Sequence, residues 1–143
     1  MGRLIVAALS AALSLALLPA VASAQAGVRV EVSRANQTMD VIVDGEHAYT
    51  WQVSTGRSGW GTPPGTFHPQ FIAARWFSRV FNNAPMPHSI FYSGPFAIHG
   101  TVDVARLGRP ASHGCIRLAP ANAAVLFGLV QKEGMHNTTI VVQ

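Results

Sequence analysis

The sequence predicts a mainly β domain with one main helix near its C-terminus, and three observations predict it. Apolar and polar residues alternate with period two in "VRVEVS" (28–33) and through "QTMDVIVDGEHAYTWQV" (37–53). A stretch dense in Gly, Ser, Thr and Pro, "STGRSGWGTPPGTF" (54–67), separates these runs from further short apolar ones. Only "ANAAVLFGLVQKEG" (121–134) repeats its apolar residues at helical spacing.

Taken in order, residues 28–33 form a strand, and 37–53 form two strands joined at Asp44-Gly45, a dipeptide that suits a tight hairpin turn. Residues 54–67 cannot sit inside a sheet and read as a long loop, the kind of segment that carries function on a small β scaffold. Strand resumes over 66–71, and 89–94 and 96–100 are short strands around Gly94-Pro95. Residues 101–112 are loop, with a turn of helix near Val104. The helix starts near Pro120, where proline suits the first turn, and stops at Gly134. Ala124, Phe127 and Val130 line its apolar face, widened by Leu126 and Leu129. Residues 138–143 close the chain as a strand.

Ahead of these elements, Arg3 is followed by an apolar run from Leu4 to Leu18, then Pro19 and the small residues Ala22, Ser23 and Ala24. This is the pattern of a secretory signal peptide over residues 1–24, cleaved after Ala24. About 15 apolar residues fall short of the roughly 20 needed to span a bilayer, so no stable membrane insertion is expected after cleavage. Residues 25–143, about 119 in number, make one domain. The formal charge of +4 becomes +3 once Arg3 leaves, and it is spread thinly. With no basic cluster and no interleaved aromatics, nucleic acid is not an expected partner.

Cys115 is the only cysteine, in a chain expected to enter an oxidising compartment. It cannot form an intrachain bridge, so it is either buried and inert or kept for its reactivity. Two histidines could serve a reactive thiol. His113 is two residues away in "SHGC" (112–115), too close to reach linear hydrogen-bond geometry easily; His99, in "AIHGT" (97–101), can approach from another strand and is the better base. The third group, which orients the imidazole, is either the Asp103 carboxylate or a backbone carbonyl such as that of Gly100, and the carbonyl is preferred. Amides at Gly114 and Cys115 suit an oxyanion hole. His99, His113 and Cys115 also supply three metal-ligand types, but structural zinc sites prefer four ligands with several cysteines, so no metal is expected. His47, His68, His88 and His136 read as surface or loop residues.

Together "STGRSGWGTPPGTF", "AIHGT" and "SHGCIRL" resemble the L,D-transpeptidase family, the YkuD-like catalytic domain of bacterial cell-wall enzymes. The resemblance runs from about Val28 to the C-terminus, and its motif falls on His99, Ser112, His113, Gly114, Cys115, Ile116 and Arg117. It implies a small β-sandwich catalytic domain with one main helix after the cysteine. It implies Cys115 as nucleophile, His99 as base, the Gly100 carbonyl as the imidazole's partner, and amides of Gly114 and Cys115 as oxyanion hole. His113 and Ser112 would shape the site. Arg117, where many members have Asn, would bind a substrate carboxylate or brace the loop. Arg57 and Trp60 would form part of the substrate groove.

The activity so implied is attack by Cys115 on peptidoglycan tetrapeptide stems, release of D-alanine, and transfer of the acyl group to an amine of a second stem or of a wall-anchored lipoprotein. It needs no cofactor and takes place in the periplasm. Hydrolysis of the same thioester, as an L,D-carboxypeptidase or amidase, is the first alternative. A non-catalytic peptidoglycan-binding module is the second.

Overall fold

The structure is a computed structural model that describes residues 25–143. The signal peptide expected at 1–24 lies outside the described residues. Strands β1 (Val28–Ser33), β2 (Thr38–Val43) and β3 (Glu46–Gln52) are followed by β4 (Gly65–Phe67) and β5 (Phe71–Ala73). Then come β6 (Ser89–Ser93), β7 (Phe96–Gly100), β8 (Ile116–Leu118), helix α1 (Pro120–Glu133) and β9 (Thr138–Val142). They build a five-stranded sheet in the order β3-β2-β1-β9-β4 and a four-stranded sheet in the order β5-β6-β7-β8.

Period two does the sorting in the first sheet. Val28, Val30 and Val32 of β1 and Met39 and Val41 of β2 turn inward, while Arg29, Glu31 and Asp40 turn outward. Asp44 (φ 50°) and Gly45 (φ 82°) both take the left-handed conformation that a two-residue hairpin turn between β2 and β3 requires. β9 returns from the C-terminus to lie parallel to β1, with Ile140 beside Val30. These apolar faces meet Ile90, Tyr92, Ile98, Ile116 and Leu118 of the second sheet and Leu126, Phe127 and Val130 of α1 in one core. Each such side chain taken wholly out of water contributes roughly 1.5–3 kcal/mol.

The helix begins at Pro120 and is stopped by Gly134 (φ 93°), whose N–H donates to Val130 O at 2.9 Å. Its buried face is Ala123, Leu126, Phe127 and Val130. Ala124, expected on that face, is half-buried instead, because Ala123 packs against β7 and sets the rotation. Gly100 permits that packing: a Cβ there would lie 3.1 Å from the Pro87 ring, 3.3 Å from Pro120 Cα and 3.4 Å from Ala123 Cβ.

One other expectation is corrected, one strand is added and one turn is met. The strand expected over 66–71 is two three-residue strands in different sheets, β4 against β9 and β5 against β6, with Pro69 in the break between them. β8, buried inside the cysteine motif, was not anticipated. The turn of helix near Val104 is a single 3₁₀ turn, Val104–Arg106.

Candidate active site

β7 and β8 run parallel, pairing Ile98 with Ile116, His99 with Arg117 and Gly100 with Leu118. Strand alternation sends Ile98, Ile116 and Leu118 into the core, so His99 and Arg117 share the opposite face. Cys115, one residue before β8, lies two positions from Arg117 on that same face. On its other side β8 is tied to the long loop by Ser54, which exchanges two backbone bonds with Arg117 (3.1 and 2.9 Å). The thiol, the imidazole and the guanidinium thus reach one cavity of about 490 Å³.

His99 is 6% exposed. Its Nδ1–H donates to the Gly100 carbonyl at 2.7 Å, which leaves the lone pair on Nε2. Burial lowers its pKa to about 4, the bond to Gly100 opposing and the Arg117 charge adding to the fall. The imidazole is therefore neutral at physiological pH. Asp103 lies elsewhere, with its Oδ2 3.3 Å from Arg106 Nε and 3.9 Å from Arg117 Nη1.

Cys115 is half-buried, and its Sγ donates to the Pro95 carbonyl at 3.8 Å. Burial pushes the thiol pKa up, while the Ala97 N–H and the Arg117 charge favour the thiolate less strongly. At rest the cavity is thus lined by a neutral thiol and a neutral imidazole. Attack on a carbonyl has to be coupled to proton transfer.

The residues before the cysteine form a loop braced by hydrogen bonds. Ser112, fully buried, donates its Oγ to Cys115 O at 2.6 Å and accepts the Gly114 N–H at 3.0 Å. Gly114 sits at φ 116°, where a Cβ would come within 2.6 Å of the Phe96 ring, so no other residue fits. Thr62 adds a brace from the long loop: its Oγ1 donates to Gly114 O at 2.8 Å and accepts the Gly56 N–H at 2.9 Å. The Gly114 amide, expected in an oxyanion hole, is consequently engaged by Ser112.

His113 stands at the rim rather than beside the sulfur. Arg57 donates to its Nε2 at 2.9 Å, Phe81 stacks on its ring (centroids 4.1 Å apart, 9° between planes), and Trp60 meets it edge-on at 4.8 Å. Slight burial and then the charges of Arg57 and Arg117 lower its pKa. Arg57 and Trp60 thus reach the site, as the sequence suggested. Phe81, Val80 and Met86, which line the cavity from the 74–88 loop, were not anticipated. The only signal there is a cluster of aromatics and prolines without period. Among the remaining histidines, His47 is exposed beside Asp40 and Thr50, and His68 bonds Thr138 O at 2.7 Å. His88 departs from a surface reading: its Nδ1 is buried without a partner, and its ring meets Phe127 edge-on.

Among the described residues no three His, Cys, Asp or Glu side chains gather as a metal site, and no helix is long and apolar enough to cross a membrane. What the second sheet presents is a thiol with a neutral imidazole behind it, at the edge of a largely apolar cavity: a site suited to acyl transfer through a cysteine.

The L,D-transpeptidase catalytic domain (YkuD) profile matches residues 27–142, and the chain belongs to that family. Among curated proteins, no sequence matches significantly. Among solved structures it is similar to an L,D-transpeptidase from Mycobacterium smegmatis, with 26% identity, a TM-score of 0.73, and coverage of 82% of this chain and 59% of that one. It is similar to an L,D-transpeptidase from Stackebrandtia nassauensis at 24% identity and TM-score 0.72, covering 85% and 57%. It is also similar to L,D-transpeptidase 3 from Mycobacterium tuberculosis in complex with a faropenem-derived adduct, at 18% identity and TM-score 0.70, covering 82% and 60%. The last two likenesses carry the fold alone. The chain spans about three-fifths of the length of these structures. Its mainly β architecture of two sheets and one helix is that of their catalytic domains.

Proposed function

We propose that this chain is a cysteine L,D-transpeptidase acting on peptidoglycan tetrapeptide stems in the periplasm, with Cys115 as nucleophile and His99 as base. One observation carries the reading: His99 is held neutral, with its Nδ1–H on Gly100 O at 2.7 Å, on the strand beside the one that Cys115 leads into. The lone pair on Nε2 is then free to accept a proton, and His99 lines the same cavity as Cys115. Export rests on the signal-peptide pattern of residues 1–24.

Cys115 Sγ attacks the carbonyl that joins the L-centre of the third stem residue to D-alanine, and its proton passes to His99 Nε2. Concerted transfer suits a raised thiol pKa and a lowered imidazole pKa. The oxyanion is assigned to the Cys115 N–H, which, unlike that of Gly114, is not taken up by Ser112. Collapse expels D-alanine, whose amine takes the proton from His99, and a thioester remains. An amine of a second stem, or a lipoprotein lysine, then attacks the thioester, gives its proton to His99, and the sulfur leaves to recover that proton. No cofactor enters.

The test is mass spectrometry of disaccharide-tetrapeptides incubated with the protein, with Cys115→Ala alongside. Dimers formed with loss of one D-alanine, dependent on Cys115, are the expected result. Tripeptides without dimers would reassign the protein as an L,D-carboxypeptidase, and unchanged tetrapeptide would contradict catalysis on this substrate.

A further inference from the structure

The turn between β1 and β2 holds a buried polar side chain where the backbone favours a different residue. Gln37 ends that turn at φ 54°, in the left-handed region that suits Gly and Asn and strains a longer side chain. The hairpin itself has no use for a glutamine there. Yet the residue is only 3% exposed, and both amide hydrogens and the amide oxygen are engaged. Nε2 donates to Arg34 O at 2.7 Å and to Thr55 Oγ1 at 2.6 Å, while Oε1 accepts the Thr55 N–H at 2.9 Å. A backbone N–H can only donate, so Thr55 fixes which end of the amide is oxygen. Asn, which would suit the backbone, is one methylene shorter and lacks this reach.

From Thr55 the hydrogen bonds continue to the cysteine by two routes. In the first, Thr55 O accepts the N–H groups of Ala111 and Ser112, at 2.9 and 3.0 Å, and Ser112 Oγ donates to Cys115 O at 2.6 Å. In the second, the Gly56 N–H donates to Thr62 Oγ1, which donates to Gly114 O at 2.8 Å. The β1–β2 turn also touches the second route directly, since Arg34 Nη1 donates to Thr62 O at 3.3 Å. The first route ends on the peptide plane that follows Cys115. The second ends on the plane that precedes it, which carries the Cys115 N–H. Thr55, Thr62 and Ser112 are each at most 2% exposed, so these bonds lie out of reach of bulk water and a partner lost at one link is not replaced.

We infer that Gln37 is a positioning residue for the chemistry at Cys115: by holding Thr55 it sets the peptide planes on either side of the nucleophile, and so the direction in which the Cys115 N–H meets the oxyanion. That role rests on the acyl transfer proposed for Cys115. Gln37 does not line the cavity, so it acts on the rate through geometry rather than through contact with substrate.

The experiment compares the native chain with Gln37→Asn, which relieves the backbone and loses the reach, and Gln37→Leu, which keeps the bulk and loses the amide. Thermal melts first set a temperature at which each protein is folded. Acylation of Cys115 is then followed with p-nitrophenyl acetate, which needs only a nucleophile and an oxyanion site, and turnover with the tetrapeptide donor. Alkylation by iodoacetamide reads the thiol alone, because displacement at a saturated carbon builds no oxyanion. Acylation and tetrapeptide kcat are expected to fall about 10- to 100-fold in both variants with KM little changed. Alkylation should stay within about threefold of native. Hydrogen exchange of the Ala111 and Ser112 amides should rise about tenfold or more, while that of α1 holds.

Unchanged acylation in Gln37→Asn would overturn the inference. So would acylation and alkylation falling together, which would make Gln37 a structural residue of the hairpin. Should Gln37→Leu not fold, Gln37→Asn decides. Ester acylation that drops in the variants, in a native chain that leaves the tetrapeptide untouched, would uphold the positioning role while contradicting the transpeptidase reading. A native Cys115 inert to ester and tetrapeptide alike would overturn both.

Discussion

His99 and Arg117 face each other across the β7–β8 ladder, and the cation bears on what the imidazole can be. With burial already disfavouring the imidazolium, the Arg117 charge adds to the fall that leaves His99 with a pKa of about 4. The imidazole is thereby kept free of a proton, as the proposed base has to be.

That depression makes stability depend on pH. The unfolded chain binds a proton on His99 below about pH 6.5, and the folded chain does so only near pH 4, so folding loses stability as pH falls through that window. The loss approaches about 3 kcal/mol once pH reaches the folded value. Chemical denaturation at pH 7, 5.5 and 4 should show a decline that is steeper in the native chain than in His99→Gln. Equal slopes in the two proteins would contradict the buried neutral imidazole.

Activity should follow the same group. Turnover is expected to hold between pH 5 and 8 and to fall only toward pH 4, without a step near 6.5. Alkylation of Cys115 by iodoacetamide should still be rising at pH 9, because burial raises the thiol. A plateau at neutral pH would indicate a preformed thiolate–imidazolium pair instead. His99→Ala should lower turnover by roughly 10²- to 10⁴-fold while the thiol remains titratable.

Ser112 links Gly114 to Cys115 through two hydrogen bonds in a fully buried place. Ser112→Ala should cost about 1–3 kcal/mol, leaving the Gly114 N–H unpaired, and should reduce kcat more than it raises KM. Gly114→Ala should be worse, since the Phe96 ring occupies the place of its Cβ. Thermal melts and steady-state kinetics on both variants check this order.

Phe81 and Trp60 hold His113 from two loops at the rim. Phe81→Ala is expected to raise KM several-fold and leave stability within about 0.5 kcal/mol, as for an exposed side chain outside the core. A fall in kcat at unchanged KM would instead connect the rim to the chemistry.

Much of this was legible in the residues. Period two located β1, β2 and β3, Asp44-Gly45 located their turn, and Pro120 and Gly134 located both ends of α1. The family motif brought His99, Ser112, Gly114, Cys115 and Arg117 together before any coordinates. What escaped depends on partners distant in sequence. β8 has three residues, too few for a period, and exists because β7 and Ser54 hold it on either side. The face of α1 is set by contact with Gly100, which shifts burial from Ala124 to Ala123. The Gly114 amide suits an oxyanion hole by its residue type, but its engagement by Ser112 Oγ depends on a left-handed φ that only the folded loop reveals. The 74–88 wall of the cavity has exposed Val80 and Phe81 with neither period nor motif to mark them.

The most direct measurement is the mass of the intact protein, quenched in acid seconds after mixing with disaccharide-tetrapeptide and then mapped by proteolysis. The account predicts an adduct of the tetrapeptide donor less one D-alanine, on the peptide containing Cys115, labile to hydroxylamine and absent in Cys115→Ala. Product formation by Cys115→Ala, or an adduct on another residue, would contradict it.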